Sequence, residues 1–228
     1  MIHADFTEFR ETTGADPFTL QNKKLLKVFL QYGPVKARIG AMVAYQGEAR
    51  FEHGGSGGMS GMLKSKMTGE GVPIMNITGT GEVFLADRAA EIQVMYLEDD
   101  QVWVNGANVL AVSGSVDHKI ERIGGAGAMA GGLYNVTLTG TGYVAITTDG
   151  PPVVLDVTSA PTFADPQAVV MWTSGVQMSV KSDVSVKTFI GKGSGETFQM
   201  AFGGSGWVMV QPSEGVARGS GTKTGLGF

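Results

Sequence analysis

Apolar residues recur at fixed distances on both sides of a small glycine-containing triplet, and they do so three times along the chain. The triplets are Gly79-Thr80-Gly81, Gly140-Thr141-Gly142 and Gly204-Ser205-Gly206. Counting from the first glycine of each, offsets −4, −2, +4 and +6 hold Met75, Ile77, Val83 and Leu85. The second set is Val136, Leu138, Val144 and Ile146, and the third is Met200, Phe202, Val208 and Val210. All of these positions are apolar, where about half would be by average composition. If each triplet is a three-residue hairpin loop, the four offsets fall on one face, with −2 opposite +4 and −4 opposite +6. A continuous strand carrying two inward glycines satisfies the same parity. The hairpin is the favoured expectation, because glycine weakens strand interiors.

A second landmark keeps step with the first. MVAYQG at 42–47, VLAVSG at 109–114 and VMWTSG at 170–175 share a closing glycine, and the successive copies of each landmark lie roughly 60 residues apart, the mark of a repeat architecture. Short runs rich in β-branched and aromatic residues, punctuated by Gly, Asn, Asp and Pro, predict strands almost everywhere. Segments 92–97 and 101–104 are expected to flank an acidic turn at Glu98, Asp99 and Asp100. Asn105-Gly106 is expected to make a tight hairpin into 109–112. No convincing amphipathic helix emerges, and Pro151, Pro152, Pro161 and Pro166 would interrupt one. The pattern predicts an all-β protein of three tandem, pseudo-threefold modules at 1–88, 89–150 and 151–215, with a flexible tail at 216–228. Modules of this size bury too little surface to stand alone, so they are expected to pack into one compact unit.

Composition narrows function mainly by exclusion. Glycine supplies 35 of 228 residues, about twice the usual share of 7%, which suits a turn-rich globular chain. Seventeen basic against 21 acidic residues leave a net charge of −4, which offers no global field for a polyanion, so nucleic acid is a disfavoured partner. The absence of cysteine removes disulfides, thiolate metal sites and cysteine nucleophiles, and suits a reducing compartment. The first residues carry neither the basic leader nor the apolar core of a signal peptide, and no apolar run approaches the roughly 18 residues of a spanning helix. A cytoplasmic location is expected.

Each candidate for chemistry meets a simpler reading. Gly125, Gly127 and Ala130 have the spacing of a dinucleotide loop but precede a strand, where that loop needs a helix. Gly191-Lys192-Gly193 resembles a phosphate loop, yet Val186 stands where its first glycine belongs. His3, His53 and His118 lie in separate segments without ligand spacing, and Glu98 to Asp100 lacks the alternating order of a calcium loop. No catalytic residue, metal or cofactor is therefore expected. The Gly/Met segments 54–63, with Met59 and Met62, and 123–133, with Met129, suit packing over the core, contact with another subunit, or peripheral contact with a membrane. Trp103, Trp172 and Trp207 could stack bases. Trp207 sits at offset +3, opposite in parity to the core set, and is expected either to meet a partner or to cover a neighbouring module.

Several segments together, ARIGAMVAYQG at 37–47, GTGEVFLAD at 79–87, GAGAMAGGL at 125–133, TTDGPPVVLDV at 147–157 and QMAFGGSGWVMVQPSE at 199–214, carry a family resemblance. From about residue 20 to 215 the chain resembles the altered inheritance of mitochondria protein 24 family. The resemblance implies tandem β-sandwich modules with the fold of the tryptophan RNA-binding attenuation protein, and it brings no catalytic motif. The lysine and arginine set that contacts RNA in the attenuation protein has no clear counterpart. The expectation is a non-enzymatic scaffold or binding protein that forms a homo-oligomer or meets a protein partner. The alternatives are a nucleic-acid or small-ligand module by analogy of fold, and an enzyme of unknown class.

Overall fold

The computed structural model describes residues 5–53, 73–122, 134–182 and 198–213. The described chain is almost entirely β, as the alternating pattern predicts. Its strands are β1 (Phe18–Asn22), β2 (Leu25–Phe29), β3 (Val35–Arg38), β4 (Met42–His53), β5 (Ile74–Leu85), β6 (Glu91–Asn105), β7 (Val109–Ser113) and β8 (Val116–Arg122). They continue as β9 (Tyr134–Thr148), β10 (Val153–Asp156), β11 (Thr162–Ala164), β12 (Val169–Thr173), β13 (Val176–Ser182), β14 (Phe198–Gly204) and β15 (Trp207–Val210). Among the described residues the helical content is two short 3-10 turns, Thr7–Phe9 and Leu30–Tyr32.

The glycine triplets are not hairpin loops. β5 and β9 continue unbroken through theirs, and only the third triplet falls between two strands, β14 and β15. The backbone bends there at positive φ, +131° at Gly79 and +139° at Gly81, and the strand meets different neighbours on either side of the triplet. One edge of β5 pairs with β4 along its length. Its other edge pairs with β3 before the bend and with β2 after it. β9 is used in the same way, by β6 along one edge and by β8 then β7 along the other. Glycine is obligatory at the bend because the paired strand β4 lies so close: a Cβ on Gly79 or Gly81 would lie 2.1 Å from the carbonyl oxygen of Glu48 or Gln46.

The bend accounts for the twelve apolar offsets. β5 and β9 continue through their triplets, so offsets −4, −2, +4 and +6 keep one parity and face a single core. Met75, Ile77, Val83 and Leu85 all join one core cluster. Val136, Leu138, Val144 and Ile146 join a second. Met200, Phe202 and Val208 are buried in a third, with Val210 packed against it. Full burial of such a side chain contributes about 1.5–3 kcal/mol, so these positions dominate each core.

Two further local expectations are corrected. Glu98 to Asp100 is not a turn between strands but a bulge inside β6, with Asp99 at φ +50° and the register against β9 shifting between Leu97 and Asp100. Asn105-Gly106 does turn the chain, through a hydrogen bond from the Asn108 N–H to the Asn105 carbonyl. The strands on either side do not form a hairpin, because β9 lies between β6 and β7 and pairs with both. Turn chemistry was legible locally, whereas the insertion of a strand from 30 residues away was not.

Two joints link successive groups of strands edge to edge. β3 pairs with β7 (Val35↔Ser113, Lys36↔Val112, Ala37↔Ala111), and β6 pairs with β12 (Val102↔Thr173, Trp103↔Trp172, Val104↔Met171). At the first joint Arg38 reaches across, its guanidinium donating to the carbonyls of Val109, Gly106 and Ala107, with Asp87 at 3.8 Å. At the second, the Asn105 side-chain amide donates to the Val169 carbonyl at 3.3 Å. The Trp103 and Trp172 rings stack there, centroids 6.2 Å apart.

Candidate functional site

The most informative surface lies at the start of β4. Met42, Val109 and Val169 occupy one structural position, each opposite the residue at offset +6: Leu85, Ile146 and Val210. Each is followed by the same irregularity, a register shift before the next paired residue but one. Registers are therefore shared from 42 to 45, from 109 to 112 and from 169 to 172, yet the environments are opposite. Val109 to Val112 are all at most 3% exposed, and so are Val169 to Trp172. Met42, Val43 and Tyr45 are 39%, 61% and 48% exposed, with Ala44 exposed between them. β7 and β12 each lie between two core clusters, Leu110 and Ala111 in the first and Val109 and Val112 in the second, Val170 and Met171 in the second and Val169 and Trp172 in the third, and their outer edges pair with β3 and β6. Among the described residues nothing pairs with that edge of β4.

A second apolar surface lies at the other end of the sheets. β11 pairs with β14 on one edge only, and its Phe163 is 50% exposed, with the Lys181 ammonium 4.8 Å from the ring centroid. Val153 and Val154 on β10 are each 52% exposed. Exposed apolar side chains gathered on strands with free N–H and C=O groups are a pairing hazard unless something covers them.

A cleft of about 240 Å³ opens near the first joint, between Phe18, Phe29, Tyr32, Tyr96 and Tyr143. Its rings are mutually packed: Phe18 stacks on Tyr143 at 5.6 Å, and Tyr96 meets Tyr143 at 5.0 Å. The hydroxyls on its wall are committed to backbone, since Ser113 Oγ accepts the Tyr143 N–H and Ser115 Oγ donates to the Thr141 carbonyl. The cleft therefore presents ring faces and few uncommitted hydroxyls.

Charged groups form local ties. Lys27 is buried and sits 3.3 Å from Glu11, 3.1 Å from Glu82 and over the Phe29 ring, pinning the first residues to β2. The Glu11 carboxyl is held below its ordinary range by hydrogen bonds from Gln46 and then Lys27. His118 is displaced below the usual imidazole value by desolvation, and next by the positive charge of Lys36, with Asp117 opposing. Asp99 and Asp100 do not converge on a shared point: Asp99 donates its N–H to Thr141 Oγ1, and Asp100 accepts from Ser174 Oγ. Among the described residues no group of three His, Asp or Glu side chains is arranged to hold a metal ion.

Of the residues singled out from sequence, Trp207 is half-buried against the second core cluster, its N–H donating to Thr173 Oγ1 at 3.1 Å. Trp172 is buried in the second joint, and Trp103, partly exposed, stacks one ring face on it. Met59, Met62 and Met129 lie outside the described residues, as do the loops at Gly125 and Gly191. The exposed edge of β4 escaped sequence reasoning because MVAY reads like its buried counterparts VLAV and VVMW.

The profile of the family described as Mitochondrial biogenesis AIM24 matches residues 18–213, nearly the whole described fold. The chain belongs to the AIM24 family. No curated protein matches it. Among solved structures it is similar to protein SPYM3_0169 from Streptococcus pyogenes, with 23% sequence identity and a TM-score of 0.69, over 86% of this chain and 92% of that one. At that identity the likeness establishes shared fold alone. No helix among the described residues is long and apolar enough to cross a membrane.

Proposed function

We propose that this AIM24-family chain is a non-enzymatic scaffold or binding protein that acts through assembly surfaces built from strand edges, in the cytoplasm. One observation carries the reading: residues 42–45 are exposed where the same register positions at 109–112 and 169–172 are buried. Apolar side chains placed to be covered, on a strand with one edge unpaired among the described residues, fit recognition by strand addition. In the same reading the strand groups are three tandem modules, and Met59, Met62, Met129 and Trp207 are proposed as partner-contact residues.

Val43 is the residue to perturb, being the most exposed of the four. Val43→Glu introduces a charge that a covering partner must desolvate, while an exposed substitution changes the stability of the single chain by less than about 0.5 kcal/mol. Light scattering across a concentration series is expected to give masses above the 23.8 kDa of one chain. The variant should revert to that mass with an unchanged unfolding curve. A wild-type protein that stays at single-chain mass throughout refutes the assembly reading.

A further inference from the structure

The two joints inside the chain obey one rule, and the two free edges are what a third joint of the same kind would need. Val35, Val102 and Thr162 each oppose the residue at offset −2: Ile77, Leu138 and Phe202. β3, the second half of β6, and β11 are therefore equivalent strands. β3 and β6 carry β7 and β12 on their far edges, whereas β11 carries nothing among the described residues. Conversely, β7 and β12 are covered and their equivalent, the start of β4, is not. Among the described residues each chain thus has one unpaired edge of each kind.

We propose that a second copy of this chain seats its β11 on β4 in the register of the internal joints: Thr162 opposite Gln46, Phe163 opposite Tyr45, Ala164 opposite Ala44. This rests on the reading of β4 as an assembly surface and adds the occupant and its register. The internal joints supply the template, since Val35↔Ser113 and Val102↔Thr173 become Thr162↔Gln46, and likewise along the strand. The half-exposed rings of Phe163 and Tyr45 fall opposite one another where Trp103 and Trp172 stack in the second joint. Cross-strand aromatic pairs stabilise such an edge. The surfaces are different and complementary, so the contact is heterologous and repeats head to tail, closing as a ring or extending as a filament.

One position sets the third joint apart. Arg38 and Asn105 donate to the carbonyls of Val109 and Val169, but their equivalent is Asp165, an acceptor with no proton to offer the Met42 carbonyl. Asp165 keeps only the other half of the Asn105 arrangement, accepting the Gln167 N–H as Asn105 accepts that of Ala107. The joint between copies lacks a hydrogen bond that both internal joints have.

The cysteine-free sequence allows a direct test. Directly opposed residues on paired antiparallel strands have Cα atoms about 4.5–5.5 Å apart, within disulfide range. Ala44→Cys and Ala164→Cys proteins, mixed and exposed to a mild oxidant, should give a dimer linked between those positions. Its yield should exceed that from Gln46→Cys with Ala164→Cys, which is out of register. Ala37→Cys with Ala111→Cys in one chain, opposed in the first joint, is the internal positive control. Asp165→Asn should tighten self-association about fivefold, the effect of one net hydrogen bond of about 1 kcal/mol. If the positive control closes and the mixed pair does not exceed the out-of-register pair, the proposed register is overturned. Light scattering then separates the cases, because persisting oligomers leave the assembly reading intact while removing this joint. A link formed within single chains of the Ala44→Cys, Ala164→Cys double variant at high dilution also overturns it, since the two edges would then satisfy each other in one molecule.

Discussion

Gly81→Ala tests why the strands bend where they do. Gly81 has φ +139°, in a region that side chains rarely adopt, and its Cβ would sit 2.1 Å from the Gln46 carbonyl oxygen and 3.1 Å from Gly47 Cα. Neither neighbour is a side chain that could rotate away. The strained backbone costs on the order of 1–3 kcal/mol. Relieving the contact requires β4 and β5 to separate locally, with the loss of one or two ladder hydrogen bonds at about 1 kcal/mol each. The sum, about 2–5 kcal/mol, is a large fraction of the roughly 5–15 kcal/mol by which domains are stable. For a chain of this size it corresponds to a fall in Tm of roughly 4–20 °C. The matched control is Gly203→Ala, on β14, where an added Cβ meets nothing within 4 Å and φ is not positive. That change is expected to stay within about 1 kcal/mol of the wild type. Urea unfolding followed by circular dichroism, with m-values compared, measures both. Equal midpoints for the two variants would refute the argument that backbone proximity at the bend demands glycine.

Two other perturbations follow from the geometry. Arg38→Met leaves the carbonyls of Gly106, Ala107 and Val109 without their guanidinium donor at the first joint, and should lower stability by about 2–4 kcal/mol in the same unfolding assay. His118 titrates below its ordinary value of 6.5 in the folded chain, so the unfolded chain binds the proton first as pH falls. Its contribution to stability is present above about pH 6.5 and is lost as pH drops through that value toward the folded pKa, so His118→Gln should flatten the pH dependence of the unfolding midpoint just below pH 6.5.

The apolar offsets around each triplet identified the core set from sequence, because burial on one face imposes a period of two whatever strand connectivity follows. Eleven of those side chains are buried, and Val210 packs against them. Connectivity was less legible. Parity is the same for a hairpin and for a strand that continues through the triplet, so it does not tell that Gly79 and Gly81 stand at a bend pressed against β4. Asn105-Gly106 carried a turn signal without revealing which strand would enter beside it. The candidate surface was hidden for a related reason, since Met42 to Tyr45 have the composition of a buried strand.

By itself the sequence determined an all-β chain, its core-facing positions and its membership of the AIM24 family, since side-chain alternation and glycine placement are local properties written residue by residue. Only the tertiary structure decided which edges are covered. An edge is satisfied by backbone groups of a distant strand, and backbone groups are the same in every residue, so no side-chain pattern records whether β3 reaches β7 or whether anything reaches β4. The same tertiary placement packs Val112 into the second core cluster and leaves Tyr45, in the same register, at the surface.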